Sequence, residues 1–407
     1  MTQKSIAIQL SNTPLSTIQV KIKEANSMKF KIIGNGAAGN KAAMELIKNG
    51  LIDPKDIVLV NSTSKDFPKD FKGKTIILSG ESTGCGKERS IAKEYAMNTL
   101  KENLIDSAFE PDDDSVIIIT SLEGGTGSGS TPLIGQYCAT VLGLNVHIIG
   151  FTGFEDDVRG LQNTVEFFQD LDFECDVMTI KNSAFLDACD GNRFKAEEAA
   201  NKELIERIKV ILSYNLKASS QNIDDMDIFK VISTTGYKTI ETIYFNKDLM
   251  NKEEFNKLCK TMIYTSKSLK SSEPSQNRMA IILNIKPESE DAIDYTFSAF
   301  KEEYGNPYES FLHKQYDGGV QYITLISSGM KMPLDEVQAI YDRYKAATSS
   351  VNKSPDEFFA QVGAMKKDIA DNKFDMVRSG RRASGNKSDF FKQFESKPTI
   401  ANTKEQK

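Results

Sequence analysis

The sequence feature that most constrains the fold is a glycine-rich turn, LEGGTGSGSTP, at residues 122–132. It follows a run of β-branched residues at 116–119 and precedes an apolar helical segment at 131–144. A turn between a buried strand and a helix directs backbone N–H groups and the helix dipole towards an anion. The residues that allow close approach or add hydroxyl donors are Gly124, Gly125, Gly127, Gly129, Thr126, Ser128 and Ser130. The turn therefore predicts a phosphate-binding loop.

Apolar strands alternate with helices around this turn. Strands are predicted at 30–33, 56–61, 74–80, 114–121 and 145–154, and helices through 42–47, 88–105 and 131–144. Because these strands are apolar throughout, they are typical of a parallel sheet whose two faces are both covered by helices. Ligands of such sheets bind at the carboxyl ends of the strands, where the glycine-rich turns of this sequence lie.

The second half of the sequence has a different pattern. A long helix is predicted at 196–216, and strands and helices then follow in mixed order. The predicted strands lie at 239–245, 278–287 and 320–329, and the predicted helices near 252–267, 289–304, 334–347 and 355–377. The fold class that we expect is therefore α/β, with a parallel-sheet nucleotide-binding domain, a long central helix and a smaller α+β C-terminal domain.

Composition argues against several classes of protein. The formal net charge of −6 disfavours non-specific binding of nucleic acid by the body of the protein. Five widely spaced cysteines and two histidines favour neither a disulfide framework nor a zinc site. No apolar run approaches the roughly 18 residues of a membrane span, and the N-terminal residues lack the pattern of a secretion signal. We therefore expect a cytoplasmic protein that does not insert into membranes.

The first glycine-rich turn, GNGAAGN at 34–40, has the GxGxxG spacing of dinucleotide-binding proteins. In those proteins an acidic residue follows about 20 positions later, at the end of the second strand. Here that strand ends in Asn61 and Ser62, which argues against a dehydrogenase with a nicotinamide cofactor. The GxxxxGK[ST] motif of P-loop proteins does not occur in the sequence either.

The two turns together resemble the nucleotide loops of the tubulin/FtsZ superfamily. GGTGSG at 124–129 is similar to the tubulin signature loop and GNGAAGN to the first loop of FtsZ, and the order of the loops agrees along nearly the whole chain. The resemblance implies GTP and GDP as ligands, with Mg²⁺ on the phosphates and no protein ligand assigned to the metal. It places these residues at the nucleotide: Gly34, Asn35, Gly36, Ala37, Ala38, Asn40, Asn61, Gly84, Gly124, Gly125, Thr126, Gly127, Ser128, Gly129, Glu155, Arg159, Asn182 and Asn201.

An acidic segment with the spacing Asn-x-Asp-x-x-Asp begins at Asn222 and includes Asp224 and Asp227. From the residues alone it could be a solvated loop or a weak cation site. The resemblance implies instead a catalytic loop that reaches the nucleotide of the next subunit in a head-to-tail filament. The carboxylates would then position or polarise the attacking water, so that assembly completes a GTPase.

Three residues depart from the family pattern. Glu123 places a carboxylate directly before the glycines, where the family has a small residue. This carboxylate would repel phosphates unless it helps to hold Mg²⁺ or points away from them. Lys202 stands where FtsZ has an aspartate that pairs with guanine, so that selectivity for GTP would rest on Asn182 and Asn201. Lys87 directly follows residues 80–86, which the resemblance identifies as the third nucleotide loop, and it either offsets phosphate charge or is a solvated lysine at the start of a helix.

Within the superfamily, the sequence resembles the plasmid and phage branch, TubZ and the phage tubulins. The indicative features are residues 1–28, the helix at 355–377 and the basic tail from Arg378 to Lys407, with eight Lys and Arg against three Asp and Glu. The resemblance implies a dynamic filament that positions or segregates plasmid or phage DNA or particles in a bacterial or phage-infected host cytoplasm. The tail would contact DNA or a DNA-bound adaptor. An FtsZ-type cell-division GTPase and a non-hydrolysing nucleotide-binding scaffold are the alternatives.

The expected domain organisation follows from these assignments. The segments are an N-terminal extension (1–28), a GTP-binding domain (29–195), the central helix (196–216), the catalytic loop (217–230), a C-terminal activation domain (231–348), a C-terminal helix (349–378) and a basic, disordered tail (379–407). The sequence contains no internal repeat that would indicate a solenoid or a propeller.

Overall fold

The computed structural model of the protein describes residues 29–78, 84–212, 225–349 and 385–395. The predicted N-terminal extension and the helix predicted at 355–377 lie outside the described residues. None of the helices within the described ranges is both long and apolar enough to cross a membrane.

Strands and helices alternate through the first half of the chain. The strands are β1 (Phe30–Asn35), β2 (Ile57–Asn61), β3 (Lys74–Ile77), β4 (Ser115–Ser121), β5 (Asn145–Thr152), β6 (Asp176–Lys181), β7 (Gly236–Phe245), β8 (Arg278–Asn284), β9 (Glu309–Gln315) and β10 (Gln321–Met330). The helices are α1 (Gly36–Lys48), α2 (Arg89–Lys101), α3 (Thr126–Thr140), α4 (Val158–Gln169), α5 (Arg193–Ile211), α6 (Asp225–Ile232), α7 (Lys252–Tyr264), α8 (Ser298–Tyr304), α9 (Leu334–Thr348) and α10 (Lys387–Glu395).

All ten strands belong to one sheet, in the order β3-β2-β1-β4-β5-β6-β7-β10-β8-β9. Strands β1 to β6 pair in parallel, and β8 pairs in parallel with β9. Strand β10 is antiparallel to both β7 and β8. The α/β fold class is therefore confirmed, with a mostly parallel sheet that continues from the first half of the chain into the second. The division into domains stays a prediction.

Neighbouring residues of the central strands pack on opposite faces of the sheet, because side chains alternate along a strand. Ile32 packs under α1, α5 and α6, whereas Ile33 packs in the core on the other face, which includes residues of α2, α3 and α4. Both side chains are fully buried, and each burial of this kind contributes roughly 1.5–3 kcal/mol to folding. Burial on both faces is the reason why these strands are apolar at every position.

Some elements differ from the sequence-based prediction. Helix α4 and strands β6 and β9 are not predicted, because the apolar runs of the two strands are short and broken by polar residues. The helix predicted at 289–304 is divided into a 3₁₀ turn at Pro287–Ala292 and α8, with Phe297 at a left-handed φ of 49° between them. The central helix α5 begins earlier than predicted because the side chain of Asn192 caps it, accepting the N–H of Lys195 at 3.1 Å.

Part of the tail predicted to be disordered forms helix α10, which packs on α3. Phe390 is 4% exposed and meets the ring of Tyr137 edge to face, with 5.2 Å between the ring centroids. The ammonium group of Lys387 lies 5.0 Å from the Tyr137 ring centroid and 3.2 Å from the Asp106 carboxylate. The prediction of disorder is therefore wrong for 385–395, because a count of charges overlooks the aromatic residues that bury one side of the helix.

A buried group of charges joins the two halves of the chain where β6 meets β7. The strands pair there through Asp176 with Gly236 and Val177 with Tyr237. The ammonium group of Lys238, 1% exposed, lies 2.6 Å from one carboxylate oxygen of Asp176, and His147 contacts the other oxygen. Removing one partner of such a buried pair costs about 3–5 kcal/mol, so this group ties β7 firmly to β5 and β6.

Candidate functional site

The first glycine-rich turn and the phosphate-binding loop lie side by side, because β1 and β4 are neighbours and both turns follow their carboxyl ends. The side-chain amide of Asn35 donates to the Ser130 hydroxyl at 2.9 Å and to the Thr131 hydroxyl at 2.7 Å. Gly36 has a φ of 75°, and a Cβ atom there would lie 3.0 Å from the backbone nitrogen of Gly127. The two turns thus form one continuous surface.

The glycines of the phosphate-binding loop have two different environments. A Cβ atom on Gly127 would overlap the Thr120 hydroxyl and lie 2.9 Å from the Asn35 carbonyl oxygen, so this glycine is required for packing. A Cβ atom on Gly124 would meet no described heavy atom within 4 Å. Ala37 and Ala38, in the first turn of α1, are also exposed. The surface at Gly124 therefore has space for a ligand next to the N-terminus of α3.

Replacing Gly127 with alanine should weaken nucleotide binding by roughly 10- to 100-fold, because overpacking costs about 1–3 kcal/mol and displaces the start of α3. The melting temperature should fall as well. Gly124→Ala is the matched variant, since its methyl group meets open space and should leave the melting temperature unchanged. Calorimetric titration with GDP and thermal melting of both variants check the prediction. Equal melting temperatures for Gly127→Ala and the parent protein would contradict it.

The hydroxyls near the loop are engaged within the protein. Ser128 donates to the Gly124 carbonyl, and Ser130 donates to the Thr126 carbonyl at 2.7 Å. The hydroxyl of Thr126 lies 2.8 Å from that of Ser62, which follows β2. These bonds fix the loop and tie it to the end of β2. Of the donors predicted for an anion, the backbone N–H groups at the start of α3 fit that role best.

Two asparagines from the predicted set fix neighbouring turns. Asn61 donates to the Asp66 carboxylate at 2.8 Å and accepts the N–H of Ser62 at 2.8 Å. Asn40 donates to the Val60 carbonyl at 3.3 Å, so it joins α1 to β2. The side-chain oxygen of Asn40 is buried and has no hydrogen-bond partner among the described residues. Both asparagines therefore hold the segment at the end of β2 in place beside the site.

The third turn packs directly on the phosphate-binding loop. Gly84, at a φ of 107°, precedes a tight bend in which Lys87 adopts a left-handed φ of 64°. A Cβ atom on Gly125 would lie 2.6 Å from the Cα atom of Lys87. The Lys87 ammonium group pairs with the Asp157 carboxylate. Arg159 lies 2.5 Å from the Glu88 carboxylate and donates to the Lys87 carbonyl at 3.3 Å, so it is bound to the third turn.

Glu123 turns away from the glycines and is partly buried beside the loop that follows β5. A Cβ atom on Gly153 would overlap its carboxylate, so the glycine makes room for this side chain. Burial, followed by the charge of Asp157, raises the pKa of Glu123 to about 7, against a smaller opposing effect of Lys87. The carboxyl group opposes charge on nearby phosphates much less when it is protonated, which makes a glutamate tolerable at this position.

A cleft of about 620 Å³ lies beside this loop, on the side of α9. Glu123 and Glu155 both line it, and Glu155 lies 2.9 Å from the guanidinium group of Arg343 on α9. The glycines at 124–129 do not line the cleft. It therefore flanks the phosphate-binding surface and is separate from it.

The amide residues predicted to read the base lie on adjacent elements. Asn182 begins the 3₁₀ turn Asn182–Phe185, which packs against α5, the helix that carries Asn201. Asn182 is 7% exposed, and its side-chain oxygen has no hydrogen-bond partner among the described residues. Asn201 is partly buried, whereas Lys202 is exposed. An unpartnered buried oxygen is costly unless a ligand donates to it, which fits a nucleotide base.

The predicted catalytic residues are only partly described. Asn222 and Asp224 lie outside the described residues. Asp227 lies in the first turn of α6, where its carboxylate is 3.6 Å from the ammonium group of Lys230. Within the described ranges there is no group of three or more His, Cys, Asp or Glu side chains that could hold a metal ion.

Helix α6 and the nucleotide turns lie at opposite edges of the sheet. The turns follow the carboxyl ends of β1, β4 and β5, and α5 starts at that edge, with Arg193 5.0 Å from the Phe154 ring centroid. Helix α5 has 19 residues and so spans roughly 28 Å. Helix α6 ends shortly before Gly236, which pairs with Asp176, the first residue of β6. Within one subunit, Asp227 and the phosphate-binding loop therefore lie at opposite ends of the strands, about one strand length apart.

Residues 29–190 match the family model described as Tubulin/FtsZ family, GTPase domain. Cell division protein FtsZ 1 of Methanocaldococcus jannaschii is 24% identical over 237 residues, which are 57% of this chain and 64% of that protein. The chain therefore aligns with less than two thirds of this relative.

Two solved structures are similar in fold. The TubZ of Clostridium botulinum phage c-st has a TM-score of 0.61 and 18% identity, over 80% of this chain and 99% of that one. A GTPγS-form protofilament of Bacillus thuringiensis serovar israelensis TubZ has a TM-score of 0.64 and 14% identity, over 83% and 98%. At these identities the structures establish a shared fold.

Proposed function

We propose that this protein, whose residues 29–190 match the family model described as Tubulin/FtsZ family, GTPase domain, binds GTP and hydrolyses it between two stacked subunits of a filament. The observation that carries the proposal is the placement of Asp227 at the edge of the sheet opposite the nucleotide turns. Head-to-tail stacking brings opposite edges of two subunits together. Asp227 of one subunit then meets the nucleotide of the next.

The described residues fit a nucleoside triphosphate. Backbone N–H groups at the start of α3 face the open space at Gly124, and the helix dipole favours phosphate there. The unpartnered oxygen of Asn182 accepts a hydrogen bond from the base. The exposed methyl groups of Ala37 and Ala38 allow the phosphates to approach the backbone of α1. Mg²⁺, for which no protein ligand is assigned, would neutralise charge on the phosphates there.

Hydrolysis needs a positioned water molecule as well as bound phosphates. Asp227 and Asp224 supply carboxylates that accept a proton from that water or orient it, and the amide of Asn222, near them in the sequence, can help to orient it. The nucleotide turns of one subunit stabilise the charge on the phosphates, and the neighbouring subunit contributes the carboxylate that acts on the water. Neither subunit hydrolyses GTP alone, so turnover requires assembly. Loss of the third phosphate then weakens the contact between subunits.

The decisive measurement is phosphate release from GTP, per subunit, across a range of protein concentrations. A rate near zero below a threshold and a steep rise above it would support a site shared between subunits. A constant non-zero rate per subunit would place the whole site within one chain and overturn the role of Asp227. Binding of nucleotide without release at any concentration would favour a non-hydrolysing scaffold.

We further propose that the filament positions plasmid or phage DNA or particles, in line with the TubZ neighbours, rather than dividing cells as an FtsZ-type GTPase does. Arg378, Arg381 and Arg382 of the basic tail would contact DNA or a DNA-bound adaptor in the cytoplasm. Deleting the whole tail would also remove α10 from its contact with Tyr137. Charge reversal at the three arginines is the cleaner test, read out as salt-dependent binding to DNA or to a DNA-bound adaptor.

A further inference from the structure

We propose that residues 385–395 of one copy of this chain, the tail segment, dock on the end of α3 in a second copy and so link two subunits. The docking face consists of Asn103, Asp106, Tyr137 and Thr140. The inference goes beyond the proposed function, because it requires neither a bound nucleotide nor a filament.

The polar contacts of the tail segment match the C-terminal end of a helix. The last carbonyl groups of a helix have no partner within it, and cations near them are favourable. The N–H of Gly385 donates to the carbonyl of Thr140, the last residue of α3, at 2.7 Å. The Lys387 ammonium group lies 3.2 Å from the Asp106 carboxylate and 5.0 Å from the Tyr137 ring centroid. The docking face therefore fits a segment that offers a backbone donor followed by a cation.

Aromatic packing completes the contact. Phe390 is 4% exposed and meets the Tyr137 ring edge to face, and the ring centroid of Phe391 lies 6.4 Å from that of Tyr137. The Tyr137 hydroxyl donates to the Asp106 carboxylate at 2.7 Å, so the ring is held in place by the docking face itself. The partner that this face fits is therefore a short helix that carries a lysine and, one turn later, a phenylalanine.

The connection to the rest of the chain does not determine which copy supplies the segment. Helix α9, which precedes it among the described elements, packs on α4, whereas the docking face lies at α2 and α3. Residues 350–384 lie between α9 and the tail segment, outside the described ranges. A chain of that length reaches up to roughly 120 Å. Because the segments of two copies are identical, the face has the same intrinsic affinity for each of them.

The size of the contact makes docking reversible. Helix α10 has nine residues, and isolated helices shorter than about 12–15 residues are marginal in water, so it depends on the docking face. The side chains of Lys387 and Asp106 are 31% and 34% exposed, so water competes for their ion pair. The chain's own segment is favoured only by its effective concentration, which is about millimolar for an attached segment. Crowded subunits therefore exchange segments, and each exchange links two of them.

The test mixes two complementary variants in the presence of GDP and the absence of GTP. Phe390→Asp disables the tail segment and leaves the docking face empty, whereas Asp106→Arg repels Lys387 and leaves the segment intact. At about 100 µM the mixture should sediment as a one-to-one complex, given a Kd on the order of 100 µM for a small contact. Each variant alone should sediment as a single chain. The matched control mixes Phe390→Asp with a chain that carries both substitutions, and it should contain single chains only.

A second measurement leaves the docking face unchanged and decides the matter if Asp106→Arg does not fold. A labelled peptide of residues 385–395 should bind Phe390→Asp about tenfold more tightly than the parent protein, whose face is occupied by its own segment at millimolar effective concentration. Equal binding of the peptide to both proteins would overturn the proposal. Single chains throughout the mixture of complementary variants, or a complex in the control mixture, would overturn it as well.

Discussion

Asp227→Ala should lower GTP turnover in assembled filaments by about 100-fold or more, because a positioned acid or base contributes roughly 10²–10⁴ to such a reaction. Nucleotide binding to the isolated subunit should not change, since Asp227 lies at the edge of the sheet opposite the nucleotide turns. Filaments should form and disassemble slowly. Phosphate release measured beside sedimentation of filaments checks both statements, and Asp224→Ala is expected to act in the same direction.

Two controls make this prediction sharp. Lys230→Met removes the cation 3.6 Å from Asp227 and leaves the carboxylate in place, so turnover should stay within a few-fold of the parent protein. A mixture of Asp227→Ala and Gly127→Ala subunits should release phosphate faster than either variant alone. In the mixture, one subunit supplies an intact nucleotide turn and the other an intact carboxylate. Rapid release by Asp227→Ala on its own would remove this residue from the mechanism.

Glu123→Gln should make the protein more stable at alkaline pH. A carboxyl group with an ordinary pKa of 4.5 is raised to about 7 in the folded protein by burial and by Asp157. The folded state therefore holds a proton that the unfolded state has released, so the free energy of unfolding falls as pH rises from about 4.5 to about 7. The amide cannot ionise. At pH well above 7 the variant should be more stable by about 3 kcal/mol, and below the unfolded pKa the difference should vanish.

Urea denaturation at acidic and alkaline pH measures this difference directly. Glu94→Gln is the matched control, because Glu94 is exposed on α2 and carries the same chemical change. Its stability should follow that of the parent protein at both pH values. The same pH dependence in Glu123→Gln and the parent protein would show that the buried carboxyl group ionises without consequence for folding.

The strand–turn–helix geometry around the glycines at 124–129 is predictable from sequence because the pattern is local. Glycine spacing, a preceding apolar strand and a following helix lie within about 30 residues. The hydrogen-bond partners of Asn163, a buried residue of α4, are not local, since they are the carbonyl groups of Lys87, Glu123 and Gly124. No pattern near position 163 indicates those contacts, and α4 itself is absent from the prediction. The apolar residues Leu161, Val165 and Phe168 on its buried side were the available signal.

The properties of Glu123 and of the tail escaped prediction for a related reason. The sequence identifies a carboxylate beside the glycines, but its direction depends on the space left by Gly153 in another strand's loop. The tail has a clear excess of positive charge, yet Phe390, Phe391 and Phe394 decide its structure by packing on Tyr137. In both cases tertiary contacts outweigh the local pattern.

The junction of β6 and β7 affects which recombinants between the two halves of the chain would fold. Asp176 comes from the half that carries the nucleotide turns, and Lys238 comes from the half that follows. Recombination between the codons of these two residues could join a first half that carries the buried carboxylate to a second half that lacks the ammonium group. Such a hybrid protein would have an uncompensated charge in its core. In this chain an exchange of one half should therefore be tolerated only if the incoming half carries the partner residue, because β6 and β7 pair through two residue pairs at this point.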